Sequence, residues 1–180
     1  MRLILALLLL LLPAQALAAP APKEIDTLFG ALAKAASADD AKTIEVQIET
    51  LFLQSGSPSI DLLMARGASA VQGGDADTAK KLFASITEIE PGYAEGWHRR
   101  AQLQAATGDD EGAMLSLQKT VTLNPREFTA LTELAGMLAE YGDKAAALAM
   151  YRKAQALDPQ MDGLERRVRE LSHAVEGERI

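Results

Sequence analysis

Side chains able to do acid-base, nucleophilic or metal chemistry are sparse in this chain. It has two histidines, His98 and His173, placed far apart, and no cysteine. The usual ligand spacings that hold zinc are therefore missing. No glycine-rich phosphate loop is present, no serine sits in a nucleophile-elbow context, and no histidine is placed by a motif to activate one. The acid pairs Asp39-Asp40 and Asp109-Asp110 fall at predicted turns, where a carboxylate caps exposed backbone amides. The residues predict no enzymatic activity, no metal and no cofactor. One cationic group stands out, Arg66, Arg99 and Arg100. It reads either as a ladder for a partner's carboxylates or as stems laid over apolar surface and paired with local acids such as Glu133.

The elements that would carry these residues repeat. Pro91, Pro125 and Pro159 share one register, and so do Ala79, Ala113 and Ala147, and the pairs Gly74-Asp75, Gly108-Asp109 and Gly142-Asp143. Large apolar residues recur at Phe83, Leu117 and Tyr151 and at Ile89, Leu123 and Leu157, and small ones at Gly67, Ala101 and Ala135. Each column has a physical reason. Glycine accepts the left-handed backbone at a helix end, and aspartate caps the next helix. Small residues allow two helices to cross closely, and proline stops the second helix. The composition agrees: aromatics are 4% of residues, and alanine is abundant.

The 34-residue spacing and these columns resemble the tetratricopeptide repeat (TPR), a helix-turn-helix unit. The resemblance covers residues 60–161 as three units, 60–93, 94–127 and 128–161. Its large fourth-position residues are Leu63, Trp97 and Leu131. Trp97 is therefore expected in the core. The seventh position departs from the family pattern at Arg66 and Arg100, as does the eleventh at Ala70, Gln104 and Leu138. The resemblance implies an all-α fold, a TPR α-solenoid wound as a right-handed superhelix.

It also implies a concave groove lined by first-helix residues that takes an extended or helical segment of another protein. Carried onto this chain, that lining is Asp61, Met64, Ala68 and Gln72 in the first unit and Glu95, His98, Arg99 and Gln102 in the second. The third unit contributes Thr129, Thr132, Gly136 and Glu140. The family's subtype that clamps C-terminal carboxylates of heat-shock chaperones needs Lys and Asn at several of these positions. Here they are Asp, Met, Gln, Thr and Gly, which disfavours that function.

A stack of repeats exposes apolar surface at both ends. Leu164, Val168, Leu171 and Val175 form one stripe over residues 162–175, and Asp162 with Glu165 resembles a capping box, so a C-terminal capping helix is predicted. Upstream, the stripes Ile25-Leu28-Phe29-Leu32 and Ile44-Ile48-Leu51-Phe52 flank a break at Ser37–Asp40 and predict a degenerate or capping hairpin over residues 24–56 that extends the same stack. Residues 54–59, QSGSPS, form the joint, and 176–180 a tail.

Residues 1–18 have Arg2, an apolar run from Leu3 to Leu12, Pro13 and the triplet Ala16-Leu17-Ala18, the layout of a secretory signal peptide. Residues 19–23 then form a mobile leader. Cleavage after Ala18 leaves 17 basic against 25 acidic residues, a formal charge of −8. Such a surface repels phosphates, so nucleic acid and membrane surfaces are poor partners. No cysteine follows the cleavage point to carry a lipid. These features predict a periplasmic or secreted adaptor or assembly factor that binds another protein. The alternatives are a self-associating scaffold, in which outer faces pack in a homodimer, and a cell-wall hydrolase or an accessory to one.

Overall fold

A computed structural model describes residues 22–177, which form nine α-helices and no strand. The expected signal segment, the start of the expected leader and the last three residues lie outside the described residues. Helices α3 (Pro58–Gln72) and α4 (Ala76–Ile89), α5 (Ala94–Ala106) and α6 (Asp110–Leu123), and α7 (Phe128–Glu140) and α8 (Lys144–Leu157) are three successive antiparallel hairpins. They form the expected α-solenoid. Asp75, Asp109 and Asp143 each cap a second helix, accepting from the amides of Thr78, Gly112 and Ala146 at 3.0, 3.1 and 3.0 Å. The glycine before each has φ of +75°, +80° and +90°, conformations that a side chain disfavours.

Within each hairpin the small column meets the large one. A β-carbon on Gly67 would stand 2.5 Å from the Phe83 ring, and Ala101 and Ala135 are buried in the same register. The helix α9 (Leu164–Glu176) closes the C-terminal end, placing Leu164, Val168 and Leu171 against Leu131, Tyr151 and Ala154. Two details differ from the sequence reading. The helix is entered through Gly163 at φ +71° without a side-chain cap, so Asp162 and Glu165 form no capping box, and Val175 is exposed.

The N-terminal pair departs further. Helix α1 (Pro22–Leu32) takes in the last two residues of the expected leader, and α2 (Ala38–Phe52) is capped by Ser37. Instead of extending the stack beyond α3, the pair folds back across it. Phe29, Leu32, Ala41 and Ile48 converge on Phe128, with Leu157 and Met161 packed around them. The Phe29 and Phe128 rings meet edge to face at 6.3 Å. Arg126 lies over Phe29 and pairs with Asp26 at 2.6 Å.

From there α2 runs back along three inter-repeat turns in reverse order. Glu45 lies by Asp158, Thr129 Oγ1 donates to Glu49 at 3.3 Å, and Tyr93 Oη donates to the Leu53 carbonyl at 2.8 Å. The joint reverses the chain around Asp61, which accepts from Ser55 N at 3.1 Å and Ser55 Oγ at 2.6 Å. The physical reason is burial: the hairpin's two apolar stripes pack together against Phe128, Leu157 and Met161.

Candidate functional site

The first helices line a groove, and α2 divides its fate. At the first two repeats it is open, as a recess of about 550 Å³. Asp61, Met64, Ala68, Gln72, Arg99 and Gln102 line it, together with Val71, Phe83, Leu103 and Ala106. A second recess of about 570 Å³ lies between the third repeat and α9, lined in part by Gln102, Thr132, Gly136 and Glu140 with Arg167 at its wall. Gln102 borders both. Nine of the twelve predicted groove residues therefore face recesses.

The other three, Glu95, His98 and Thr129, line neither. Thr129 is tied to Glu49 of α2, and Glu95 and His98 are buried. Corrected, Thr129 belongs to the contact with α2, and Glu95 and His98 belong to a charge cluster beneath the hairpin. His98 Nε2 lies 2.8 Å from Glu133 Oε2, and Gln102 donates to the other Glu133 oxygen at 2.9 Å. Arg99 Nε holds Glu95 Oε1 at 2.7 Å. Glu127, capping α7, completes the group and is 2% exposed.

The protonation of this cluster follows from its surroundings. Burial alone lowers the His98 pKa, yet the bond to Glu133, the proximity of Glu95 and both their charges outweigh it, raising it to about 10. Burial raises Glu133, but its bond to His98 prevails and holds it below its ordinary value. Glu127 bonds no cation directly, and the charges of His98 and Arg99 lower its pKa too little to prevail. Burial first, then repulsion from Glu95, pushes it to about 8. Under the other end of α2, burial and the hydrogen bond with Glu45 raise Asp158 to about 6.

The arginine reading resolves toward structure. Arg99 serves Glu95 and Gln102, and Arg100 lies over the Trp97 ring at 5.4 Å and donates to Thr87 at 3.1 Å. Arg66 is exposed. The acid expected to pair with them, Glu133, pairs with His98 instead. Trp97 is half-buried, not core, and donates to the Pro91 carbonyl at 3.0 Å.

Sequence reasoning passed over Glu127, Glu45, Glu49 and Asp158. A signal for the first was present: Glu127 occupies the column of Tyr93 and Met161, a carboxylate among large apolar residues. His98 likewise stands in the column of Met64 and Thr132.

Repeat, caps and solenoid show that the chain folds as a tetratricopeptide-repeat protein. No protein-family model matches it. It is 28% identical over 163 residues to a TPR repeat-containing protein of Rhizobium etli, covering 90% of this chain and 80% of that protein. Among solved structures it resembles the type III secretion chaperone SycD of Yersinia enterocolitica in complex with a peptide of the translocator YopD, with a TM-score of 0.57 and 20% identity over 67% of this chain and 94% of that one. The TPR2B domain of yeast Sti1, in a complex with pHsp70, matches at a TM-score of 0.57 and 18% identity over 66% of this chain and 99% of that one.

Proposed function

We propose that this chain is a protein-binding module that holds an extended or helical segment of another protein in the open recess of its first two repeats. It acts as a periplasmic or secreted adaptor or assembly factor, without catalysis. The observation that carries the reading is the recess itself: Met64, Ala68, Val71, Phe83, Leu103 and Ala106 give it an apolar floor, with Asp61 and Arg99 as the charged groups in its wall. Val71 is 48% exposed there, an apolar side chain awaiting cover. The small Ala68 and Ala106 let a partner backbone approach closely, and an apolar anchor flanked by both charges suits the lining. The complexes of SycD with a YopD peptide and of the Sti1 domain with pHsp70 support this mode of binding. The signal-like residues 1–18 support the location.

In-cell photocrosslinking tests both. Probes replacing Ala68 or Gln72 capture a partner, and probes at the exposed Lys119 and Lys153 on α6 and α8 do not. Substituting Ala68→Arg on its own abolishes that capture. Capture from α6 and α8 alone overturns the site, and a chain that keeps residues 1–18 in the cytoplasmic fraction overturns the location.

A further inference from the structure

Glu95 and His98 on α5 and Glu127 at the start of α7 open and close the second repeat, and they meet beneath α2. Each offers one donor atom, and these atoms all lie within 4.8 Å of one another. All three side chains are buried. His98 turns one nitrogen toward the two acids. Its Nε2 is engaged by Glu133 at 2.8 Å, whereas its Nδ1 is buried without a hydrogen-bond partner, 3.5 Å from Glu95 Oε2. The side chain is 4% exposed, so solvent does not serve that nitrogen.

The two carboxylates are oriented in the same manner. Arg99 takes Glu95 Oε1 at 2.7 Å, and Asn124 donates to Glu127 Oε2 at 3.3 Å. Each acid thus has one oxygen held from behind and the other available. An imidazole fixed at one nitrogen by a carboxylate, presenting the other nitrogen to further carboxylates, is how a protein positions a metal-ligating histidine.

We propose that Glu95, His98 and Glu127 bind one divalent transition-metal cation of the zinc type, through His98 Nδ1 and one oxygen of each glutamate, with Glu133 orienting the imidazole. Two carboxylates and a neutral imidazole leave two negative charges, which a divalent cation cancels as it displaces the protons of His98 and Glu127. The nitrogen donor selects zinc, nickel or cobalt over magnesium and calcium, which prefer oxygen shells. Ligand bonds of about 2.0–2.1 Å separate tetrahedral donors by roughly 3.4 Å, so a small rotation of a glutamate closes the shell. A second oxygen of either carboxylate, or a water, fills the fourth position. The repeat also explains why no ligand spacing is visible in the sequence: Glu95 and His98 share one turn of α5, and Glu127 enters from the far end of the same unit, at the N-terminus of α7.

The test uses the full mature chain freed of metal by a chelator, titrated calorimetrically with Zn²⁺ alone and with Mg²⁺ alone. One Zn²⁺ binds per chain and Mg²⁺ does not. Substituting Glu127→Gln preserves shape and weakens Zn²⁺ at least about tenfold. The substitution His173→Ala, at the exposed histidine, leaves binding unchanged. Nitrogen NMR of the unsubstituted protein reads the site independently of any variant: Zn²⁺ shifts the His98 Nδ1 resonance while Nε2 keeps its proton. No Zn²⁺ binding by the unsubstituted chain overturns the proposal, as does binding that survives Glu127→Gln and shifts only His173.

Discussion

Ile89 and Leu157 occupy one column of the repeat, yet Ile89 is 63% exposed while Leu157 packs in two cores, one with the N-terminal hairpin and one with α9. The first repeat and the third are built to one plan, and their surroundings differ. At the third, α1 and α2 lie across the inter-repeat turns and bury Phe128 to 1% exposure, while at the first Val71 and Ile89 stand in solvent. In a repeat array, therefore, the column decides whether a residue shapes the unit. What lies across the array decides whether it is accessible, and so which end can receive a partner.

Truncating each end measures the contrast directly. The substitution Phe128→Ala destabilises by about 3–5 kcal/mol in urea unfolding, whereas Ile89→Ala stays within about 0.5 kcal/mol. Equal losses would mean that the hairpin does not pack on the third repeat.

A pH series on metal-free protein probes the covered acids next. Glu127 has an ordinary pKa of 4.5 and one of about 8 in the fold, so its favourable protonated state is fully present below 4.5 and its contribution is lost as pH rises through 8. Substituting Glu127→Gln removes that loss, leaving the variant more stable by roughly 2–4 kcal/mol above it and indistinguishable at acid pH. A further decline remains in the variant. The contribution of His98, complete below 6.5, is lost as pH rises through about 10. If chemical unfolding shows the variant no more stable at alkaline pH, Glu127 is not buried beneath α2.

Helix crossing gives a smaller difference of opposite sense, at the open end. The substitution Gly67→Ala drives a methyl into Phe83 and costs about 1–3 kcal/mol, while Gly136→Ala, 3.6 Å from the Tyr151 hydroxyl, is tolerated. Thermal melts distinguish the two. The smallest effect belongs to the exposed pair at the hairpin's rim: Arg126→Gln loses the contact with Asp26 and the stacking on Phe29, for about 0.5–1 kcal/mol. This loss shrinks little with added salt if stacking dominates.

The repeats were legible because each column answers to local physics. Gly142-Asp143 ends one helix and caps another whatever the rest of the chain does. The hairpin's docking was not legible, since Phe29 and Phe128 signal nothing to each other along the sequence. Its amphipathic stripes foretold two helices and a buried face, but not which surface would cover them. The groove residues followed from family resemblance, and nine of them line recesses where nothing crosses the helix. Beneath α2 the same inference misjudged Glu95, His98 and Thr129. Glu127 was visible only as a departure, an acid among Tyr93 and Met161, and its meaning depends on neighbours at the other end of the repeat that only the fold brings to it.

Folding back also imposes an order of events. Asp26 and Arg126, 100 residues apart, cannot meet until most of the chain has been synthesised, so the first helices made are among the last to dock. A simple array touches only its nearest neighbours and frays from either terminus, unit by unit. Here the earliest element clasps the latest unit. Opening one terminus loosens the other, and three repeats that would melt in steps are joined into one cooperative transition.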